Sequence, residues 1–210
     1  MKLGLLTDIH SHSYHLQAAL EILHAEHVDQ IVVIGDVADV FGRGQGLAAT
    51  CQLLAEANAV GVWGNHDYGL CVEPSDVVLN RYPPSVFDFL KTLRPRLEID
   101  GCLFTHIEPW LNPERVDDLW YGKSPPHSDD QLARIFAAVP NRVMFAGHYH
   151  TWLVATPAEV TLWVGSRPMT LADGRFFVVV NALCDGHFAT YDTESAELIP
   201  YNNRAGSAWQ

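Results

Sequence analysis

Five short segments of the chain combine side chains that bind metal ions in proteins. They are Asp8-Ile9-His10, Gly35-Asp36 with Asp39, Gly64-Asn65-His66-Asp67, His106, and Gly147-His148-Tyr149-His150. Carboxylate, imidazole and amide groups offer oxygen and nitrogen ligands without sulfur, which suits manganese, iron, zinc, nickel or cobalt. Two residues separated by one position can both face a single cation, as in the first and last motifs. These residue types therefore predict a metal centre.

Each motif by itself also has a purely structural interpretation. A Gly-Asp pair at a strand end is usually a turn, and Gly-Asn-His-Asp can be a tight turn in which Asn and Asp bind nearby backbone groups. Gly-His-x-His can be a surface loop, and Asp-x-His after a strand often arises by chance. All five motifs, however, follow apolar runs in the order given. That combination is hard to obtain by chance, and it favours a functional site.

The apolar runs before the first motifs predict alternating strands and helices. Residues 2–7 and 30–34 predict buried strands, and the helical spacing of apolar residues at 16–23 predicts a helix between them. A second helix over 47–54 and a brief strand at 59–63 extend the alternation, which predicts a parallel sheet. Ligands collect at the carboxyl ends of such strands, where side chains can converge. The motifs stand at these ends.

The rest of the chain predicts an irregular region followed by a region rich in strands. Proline residues interrupt positions 74–126, where only a short helix near 87–93 and a strand before His106 are predicted. Ser128 and Gln131 form a predicted capping box that opens a helix. Later β-rich runs, separated by Gly, Pro, Asp and Asn, predict an antiparallel second sheet. They cover 160–164, 176–180, 187–191 and 197–201, and a further predicted strand at 142–145 precedes them.

Length and composition restrict the class of protein. With 210 residues, of which 48% are hydrophobic, the chain can bury one substantial core, so we expect a single domain over 1–210. A net charge of −12 repels a phosphate backbone and disfavours binding to long nucleic acid. Four scattered cysteines predict neither a thiolate zinc site nor a disulfide framework. No apolar run of about 18 residues and no signal peptide are recognised, so we expect a cytoplasmic protein without a membrane partner.

Together the five motifs resemble those of the calcineurin-like metallophosphoesterase superfamily, and the resemblance covers nearly the whole chain. Within it, the start Thr7-Asp8-Ile9-His10-Ser11 and the later Asn181 and Asp185-Gly186 are similar to small bacterial and archaeal phosphodiesterases of the YfcE type. The resemblance implies a four-layer α/β/β/α sandwich, in which two mixed sheets pack face to face and helices cover the outside. The alternating strands and helices followed by β-rich sequence are compatible with that fold.

The resemblance also implies which residues bind two divalent metal ions, with manganese expected first and iron, zinc, nickel or cobalt as alternatives. The first ion would be held by Asp8, His10, Asp36 and His150, and the second by Asp36, Asn65, His106 and His148. Asp36 would bridge the ions, and a bridging hydroxide would attack phosphorus in line. His66 would protonate the departing alkoxide as the catalytic acid. Asp39 would either orient His66 or serve as a turn residue, and Asp67 is expected to be structural.

Two departures from the family pattern affect the expected phosphate contacts. In serine/threonine phosphatases of the superfamily an Arg-Gly pair follows the second aspartate, whereas Val40-Phe41-Gly42 follows Asp39 here. Arg43 and Arg167 are the candidates for replacing that arginine. In addition, Ile107-Glu108-Pro109 follows the fourth motif, where the family usually has glycine. The backbone of that ligand loop is therefore expected to differ from the family's.

The predicted activity is hydrolysis of a small phosphodiester. A phosphomonoesterase or protein phosphatase of the same superfamily is the nearest alternative. It differs in which residues bind the non-bridging phosphate oxygens. A non-catalytic protein-interaction scaffold is the alternative outside enzymes. The stretch 107–126 is expected to supply substrate contacts, although Trp110, Trp120 and Tyr121 receive no individual role, and His12 is a weaker candidate for the pocket. The sequence leaves open the natural substrate and the formation of homo-oligomers.

Overall fold

The fold is a pair of β-sheets packed face to face, seen in a computed structural model that describes residues 1–39, 41, 46–122 and 124–203. Within these ranges the first sheet has six strands, in the spatial order β3 (Val60–Val62), β2 (Gln30–Ile34), β1 (Lys2–Leu6), β10 (His187–Asp192), β11 (Glu197–Asn202) and β8 (Met169–Thr170). Over the same residues the second sheet has five strands, in the order β4 (Leu97–Ile99), β5 (Cys102–Phe104), β6 (Val143–Ala146), β9 (Phe176–Val179) and β7 (Leu153–Ala155).

Both sheets are mixed, with a parallel part that carries the motifs. In the first sheet β1, β2 and β3 run parallel, as predicted, while β10, β11 and β8 pair in antiparallel fashion. In the second sheet β5, β6 and β9 run parallel, and the edge strands β4 and β7 are antiparallel to them. Every residue of β6 and β9 is buried. Their continuous apolar sequence reflects coverage on both faces.

Helices cover the outer faces of the two sheets. The described helices are α1 (Ser13–Ala25), α2 (Leu47–Glu56), α3 (Tyr68–Cys71), α4 (Asp76–Leu79), α5 (Pro84–Leu90), α6 (Val116–Leu119) and α7 (Asp129–Ala138), with a 3₁₀ turn at Leu183–Asp185. Apolar residues of α1, α2 and α5 pack on the first sheet, and those of α7 pack on the second. None of the helices in the described ranges has both the length and the apolar character needed to cross a lipid bilayer.

A third apolar cluster fills the space between the sheets. Leu3 and Leu5 of β1 contribute to it from one side, and Phe104 and Phe145 from the other, with their rings stacked at 5.4 Å. Leu6, on the opposite face of β1, joins the cluster beneath the helices, as the alternation of side chains along a strand requires. The layers therefore run helix, sheet, sheet, helix, and the predicted four-layer sandwich is confirmed.

Local signals in the sequence located several elements correctly. The capping box is present, because the Gln131 N–H donates to Ser128 Oγ and the Gln131 side chain accepts from the Ser128 backbone. The helix predicted near 87–93 begins earlier, at Pro84, and ends at Leu90. Proline at the first helical position costs no hydrogen bond, because that N–H would have no partner within the helix.

Two predictions for the last third of the chain are wrong. Residues 160–164 form no strand, and only Val160 makes an isolated bridge, to Ala155. Leu162 is 98% exposed and Val164 66%, whereas Trp163 between them is buried in the cluster between the sheets, so the segment is anchored by single side chains without pairing as a strand. The later strands also do not build a separate antiparallel sheet, because β10 pairs with β1 and β9 runs parallel to β6. Strand propensity is local, whereas the choice of partner depends on tertiary packing.

Candidate metal centre

The five motifs meet at one edge of the sandwich, where parallel strands end. The loops after β1, β2 and β3 carry the first three motifs, and the loops after β5 and β6 carry the other two. Parallel strands have their carboxyl ends on the same side of a sheet, which brings the loops together. A hydrogen bond from the His148 N–H to Asp8 Oδ2 (2.9 Å) links a loop of the second sheet to a loop of the first. The centre therefore lies between the two sheets.

The backbone at this edge is strained at the predicted ligands themselves. Positive φ angles occur at Asp8 (50°), His10 (47°), Asp36 (53°), His148 (73°) and His150 (48°). Residues other than glycine rarely adopt this region, which costs on the order of 1–3 kcal/mol for each residue. Backbone hydrogen bonds stabilise it, because the Asp8 N–H donates to Gly35 O and the His10 N–H to Asp36 O, both at 3.0 Å. Strain of this kind is typical of functional sites.

Two motif glycines are required because ligand-bearing residues lie against them. A Cβ on Gly64 would lie 2.1 Å from Asp36 Oδ1. A Cβ on Gly147 would lie 1.9 Å from Thr7 Oγ and 2.8 Å from Asp8 Oδ2. Such separations are far below the contact distance of non-bonded atoms, which is about 3.5 Å. The glycines therefore let two predicted ligand carboxylates approach the backbone of a neighbouring loop.

The first group of ligand atoms comes from Asp8, His10, Asp36 and His150. The Nε2 atoms of His10 and His150 are 3.1 Å apart. Asp8 Oδ1 lies 3.3 Å from His150 Nε2 and 3.9 Å from His10 Nε2, and Asp36 Oδ2 lies 3.9 Å from His10 Nε2. Neighbouring ligands on one cation, at bond lengths of about 2.0–2.2 Å, lie about 3–3.5 Å apart. The observed separations suit a single ion after small adjustments.

The two oxygens of Asp8 have different surroundings, and the difference supports metal binding. Oδ2 accepts hydrogen bonds from the Thr7 hydroxyl (2.7 Å) and the His148 N–H (2.9 Å). Oδ1 is buried and accepts no hydrogen bond from the described residues. A buried charged oxygen without a donor is costly. Because Oδ1 faces the Nε2 atoms of His10 and His150, a cation among these three atoms would remove that cost.

The second group of ligand atoms comes from Asp36, Asn65, His106 and His148. Asn65 Oδ1 lies 2.9 Å from both His106 Nε2 and His148 Nδ1. His106 Nε2 also lies 3.3 Å from Asp36 Oδ2. These separations again suit neighbouring ligands on one cation. Asp36 belongs to both groups, so its position is that of a bridging carboxylate.

The opposite ring nitrogens of the two histidines are already hydrogen-bonded. His106 Nδ1 lies 2.8 Å from Ile34 O, and His148 Nε2 lies 2.7 Å from Gly122 O. A carbonyl oxygen can only accept, so we assign the proton to these nitrogens. In the neutral imidazoles, the nitrogens that face Asn65 then carry lone pairs. When both imidazoles are neutral, three electron-pair donors would converge on one point, as the ligands of a metal ion do.

The carboxylates and imidazoles also shift one another's pKa values. Burial would raise the pKa of Asp36, but the neighbouring histidines, His106 first, hold it well below its usual range. Burial lowers the pKa of His106, yet the charge of Asp36 raises it to about 9. The carboxylate of Asp8, whose Oδ1 lies 3.3 Å from His150 Nε2, is the main reason that the pKa of His150 is raised to about 10. The site thus attracts positive charge, and a metal ion would have to displace protons from these imidazoles.

Asp67 is buried beneath the site and organises its backbone. Its carboxylate accepts N–H groups from Val37 (3.1 Å), Ala38 (2.8 Å) and Gly64 (3.0 Å). Burial, followed by the charge of Asp36, raises the pKa of Asp67 to about 6, and the three N–H donors oppose that rise. These contacts fix the loop that follows Asp36, which matches the structural role expected from the sequence.

His66 lies at the outer side of the two groups. Its ring meets the His10 ring edge-on, with centroids 4.6 Å apart, and its backbone N–H donates to Asp36 Oδ1 (2.8 Å). Its Nδ1 lies 3.9 Å from Asp39 Oδ1. Burial lowers the pKa of His66, and the charge of Asp36 works against this. Asp39 Oδ1 also accepts the Phe41 N–H (3.1 Å), so the structure supports both the orienting and the turn interpretation of Asp39.

Sequence reasoning missed Glu108 as a part of the site. Its buried carboxylate accepts hydrogen bonds from Trp110 Nε1–H (2.5 Å) and from the Tyr149 hydroxyl (3.0 Å). That hydroxyl packs against Gly122, where a Cβ would lie 2.6 Å away, and Gly122 O accepts from His148. Glu108 therefore supports the orientation of a predicted ligand. The sequence signal that could have indicated Glu108 is that Ile107-Glu108-Pro109 follows His106, where the family usually has glycine.

Cys184 and Asp185 were also not assigned to the site. Cys184 Sγ and Asp185 Oδ2 each lie 3.9 Å from His150 Nδ1. Both residues stand in the 3₁₀ turn before β10. In the sequence, Asp185 contributed only to the resemblance. Their place beside a predicted ligand depends on the pairing of β10 with β1, which local patterns do not reveal.

Of the two candidates for replacing the missing arginine, only Arg167 lies within the described residues, and it is not at the centre. Arg43 lies outside the described residues. Arg167 O accepts the Trp163 Nε1–H (2.8 Å), and Arg167 lines a cavity with residues 161–163 and 166–170 that contains no predicted ligand. His12 is exposed, and its Nδ1 lies 3.1 Å from Ile9 O.

Comparisons with known proteins agree on one superfamily. The family model of the calcineurin-like phosphoesterase superfamily domain matches residues 1–182. An uncharacterized protein of Methanocaldococcus jannaschii is 30% identical over 144 residues, which are 57% of this chain and 58% of that protein. The match therefore spans less than two thirds of that relative's length.

Solved structures with low sequence identity share the fold. A metallophosphoesterase from Sphaerobacter thermophilus superposes with a TM-score of 0.75 at 18% identity, over 96% of this chain and 87% of that one. An archaeal phosphodiesterase superposes with a TM-score of 0.56 at 17% identity, over 96% and 99% of the two chains. Because the family model covers most of the chain and the architecture agrees, the chain belongs to the calcineurin-like phosphoesterase superfamily.

Proposed function

We propose that this protein hydrolyses small phosphodiesters with the help of two divalent metal ions, of which manganese is the expected one. One observation carries the proposal: two groups of carboxylate, amide and imidazole atoms, sharing Asp36, converge at ligand-to-ligand distances at one edge of the sandwich. Two bound cations would neutralise phosphoryl oxygens and lower the pKa of a water molecule that attacks phosphorus. A cytoplasmic location and a small substrate belong to the same proposal.

The residues of the chain prepare the centre before any substrate arrives. The hydrogen bonds of His106 to Ile34 and of His148 to Gly122 fix which ring nitrogen faces inward. The Thr7 hydroxyl and the His148 N–H hold Asp8 Oδ2, leaving Oδ1 directed at the first group. Such supporting contacts orient ligands and raise their affinity for metal. The ligand groups are therefore largely preorganised.

His66 is the proposed catalytic acid. It lies beside His10 at the outer side of both ligand groups, where a leaving oxygen can approach it. Because burial lowers the pKa of His66, the protonated ring gives up its proton more readily than an exposed histidine. Asp39, 3.9 Å from Nδ1, is the proposed orienting carboxylate, which would leave Nε2 to deliver the proton.

Charge favours a diester over a monoester as the substrate. A phosphomonoester carries more negative charge, and enzymes that bind it commonly use an arginine fork. In the described part of the chain, no lysine or arginine forms an ion pair with a predicted ligand carboxylate. The family's usual Arg-Gly after the second aspartate is also absent. A phosphomonoesterase therefore remains the second candidate.

The decisive experiment measures hydrolysis and metal binding together. Metal-stripped protein would receive manganese, nickel, zinc or magnesium and be assayed with bis-p-nitrophenyl phosphate and p-nitrophenyl phosphate. We expect manganese to restore diester cleavage in the wild type, and Asp36→Asn to lower it by at least about 10²–10³-fold. Asp88→Asn, at an exposed carboxylate paired with Lys91, serves as the matched control and should be fully active.

Each other outcome selects a different function. A clear preference for the monoester would favour a phosphatase of the same superfamily. Absence of activity with every metal, together with absence of metal binding in calorimetry, would overturn the proposal in favour of a protein-interaction scaffold. Metal binding at a stoichiometry of one would contradict the two-ion arrangement, because Asp36 would then serve a single site.

A further inference from the structure

Three aromatic rings form a connected group at the outer side of the metal centre. The Phe41 ring meets the His66 ring edge-on, with centroids 5.1 Å apart. The Trp120 ring is tilted 40° to the His66 ring at 5.3 Å, and Phe41 and Trp120 contact each other at 5.8 Å. The proposed catalytic acid is thus bordered by two apolar rings from loops far apart in the chain. We call Phe41 and Trp120 the aromatic rim.

The rim is exposed although both side chains are strongly apolar. Phe41 is 79% exposed and Trp120 is 41% exposed. Neither residue belongs to the apolar clusters of the fold, whereas Trp63 and Trp152 are buried in them. Large apolar rings held side by side at a surface commonly mark a binding site. Packing within the fold does not account for the position of these two exposed rings, whereas a bound ligand that covered them would.

We infer that the rim binds a planar aromatic group on the leaving alcohol of the substrate. The inference rests on the proposed function, because it takes His66 as the acid that protonates the leaving oxygen. The group attached to that oxygen must then lie next to His66, where Phe41 and Trp120 are. Hydrolysis breaks the bond from phosphorus to this oxygen as a water oxygen bonds to phosphorus, and the oxygen leaves with the proton of His66.

The aromatic side chains of the rim are the reason to expect a planar group on the substrate. Aromatic side chains bind flat π-systems by stacking or edge-to-face contact, and this adds to plain hydrophobic contact. Such stacking is worth roughly 5- to 100-fold in affinity for one base or ring. In a chain with a net charge of −12, ring stacking also adds affinity for an anionic ester without adding cations. A nucleobase and a simple aryl group share this chemistry.

The test uses two probes in which an uncleavable P–C bond replaces the bond to the leaving oxygen and in which the attached ring is either flat or puckered. The monomethyl ester of benzylphosphonate carries a methylene group in place of the leaving oxygen, followed by a flat ring. The monomethyl ester of cyclohexylmethylphosphonate has the same charge and number of carbons but a puckered, more hydrophobic ring. Calorimetry with manganese-loaded protein should give about tenfold tighter binding of the benzyl probe. A third probe, with adenosine as the group attached to the methylene, distinguishes the sources: tighter binding than benzyl indicates a nucleoside, and weaker binding indicates an aryl alcohol.

Substitutions at Phe41 and Trp120 test whether the aromatic rim causes the preference for the benzyl probe. Phe41→Leu and Trp120→Leu keep apolar side chains and remove the π-surface. The double variant should therefore bind the benzyl and cyclohexyl probes with about equal affinity. Tyr121→Leu is the matched control, because Tyr121 is 60% exposed yet packs against Trp110 instead of His66. It should keep the preference. Melting temperature and manganese affinity, measured for each variant, confirm that the centre is intact.

The outcomes separate this inference from the function on which it rests. Equal binding of the two ring probes by manganese-loaded wild type, or an undiminished preference in the double variant, overturns the aromatic subsite and leaves the proposed function standing. Absence of manganese binding overturns both. Tighter binding of the cyclohexyl probe would identify the rim as a merely hydrophobic surface, and it would also contradict the inference.

Discussion

The metal-binding edge and the aromatic rim are neighbours that are held in place by different means. At the edge, five of the predicted ligands have left-handed backbone angles, and hydrogen bonds between main-chain groups stabilise those of Asp8 and His10. At the rim, Phe41 and Trp120 are exposed and are held mainly by ring contacts. The edge therefore depends on each of its parts, whereas the rim can change without loss of the fold. Under the proposed function, chemistry and selectivity would lie in regions that can vary separately.

The largest expected effect on catalysis comes from replacing His66, which contacts both the metal-binding edge and the aromatic rim. His66→Ala should lower kcat by about 10²–10⁴-fold for a diester with an alkyl leaving group, because an alkoxide needs a proton to depart. The loss should be much smaller with p-nitrophenyl esters, whose leaving oxygen is stable without one. Steady-state kinetics on the two substrates with manganese would show the difference. An equal loss on both would mean that His66 positions the substrate and is not the acid.

The next effect tests how tightly the edge is packed. Gly147→Ala should lower the free energy of unfolding by about 1–3 kcal/mol, because its Cβ would overlap Thr7 Oγ. Gly69→Ala is the control, since a Cβ at that exposed helical position meets nothing within 4 Å and should stabilise by about 0.5–1 kcal/mol. Urea unfolding of the metal-free proteins measures both changes. Equal stability of Gly147→Ala and the wild type would show that the edge is not rigidly packed.

The smallest of these effects concerns the connection between the loops around the centre. Glu108→Gln should weaken manganese binding by about tenfold, because the single amide oxygen cannot accept both the hydrogen bond from Trp110 and the one from Tyr149. Tyr149 packs against Gly122, whose carbonyl accepts from His148. Glu114→Gln, at an exposed position of the same loop, should leave the affinity unchanged. Calorimetric titration with manganese makes the comparison. An unchanged affinity in Glu108→Gln would mean that His148 is held without this contact.

Sequence patterns predicted the positions of strands and helices better than they predicted which strands pair with each other. Apolar spacing predicted the β1–α1–β2 unit, and Ser128 with Gln131 predicted the start of α7, because these signals act within a few residues. The pairing of β1 with β10, which sets Lys2 opposite Asp192, has no local signal. The run at 160–164 shows the same limit, because its strand-like composition does not supply a neighbouring strand, and only Val160 forms an isolated bridge.

The predicted ligands come together in space, whereas the residues around them were not foreseen. Ligand types and their places after strands can be read from the chain, since the carboxyl ends of parallel strands converge. Glu108 and Tyr149 gain their roles only when two loops of the second sheet meet. Phe41 and Trp120 come from different halves of the chain, and nothing in either segment indicates the other. Contacts made by tertiary folding are therefore the part that single-sequence reasoning misses.

The position of the centre between the two sheets has a consequence for heat tolerance. The predicted ligands lie on the loops after β1, β2 and β3 of one sheet and on those after β5 and β6 of the other. Under the proposed function, an ion held by both would act as a removable cross-link between the two sheets, in addition to their apolar contacts and the hydrogen bond from His148 to Asp8. At about 1,000 times its dissociation constant, such an ion adds about 4 kcal/mol to stability. The supply of metal in the surroundings would then set the temperature at which the two layers separate.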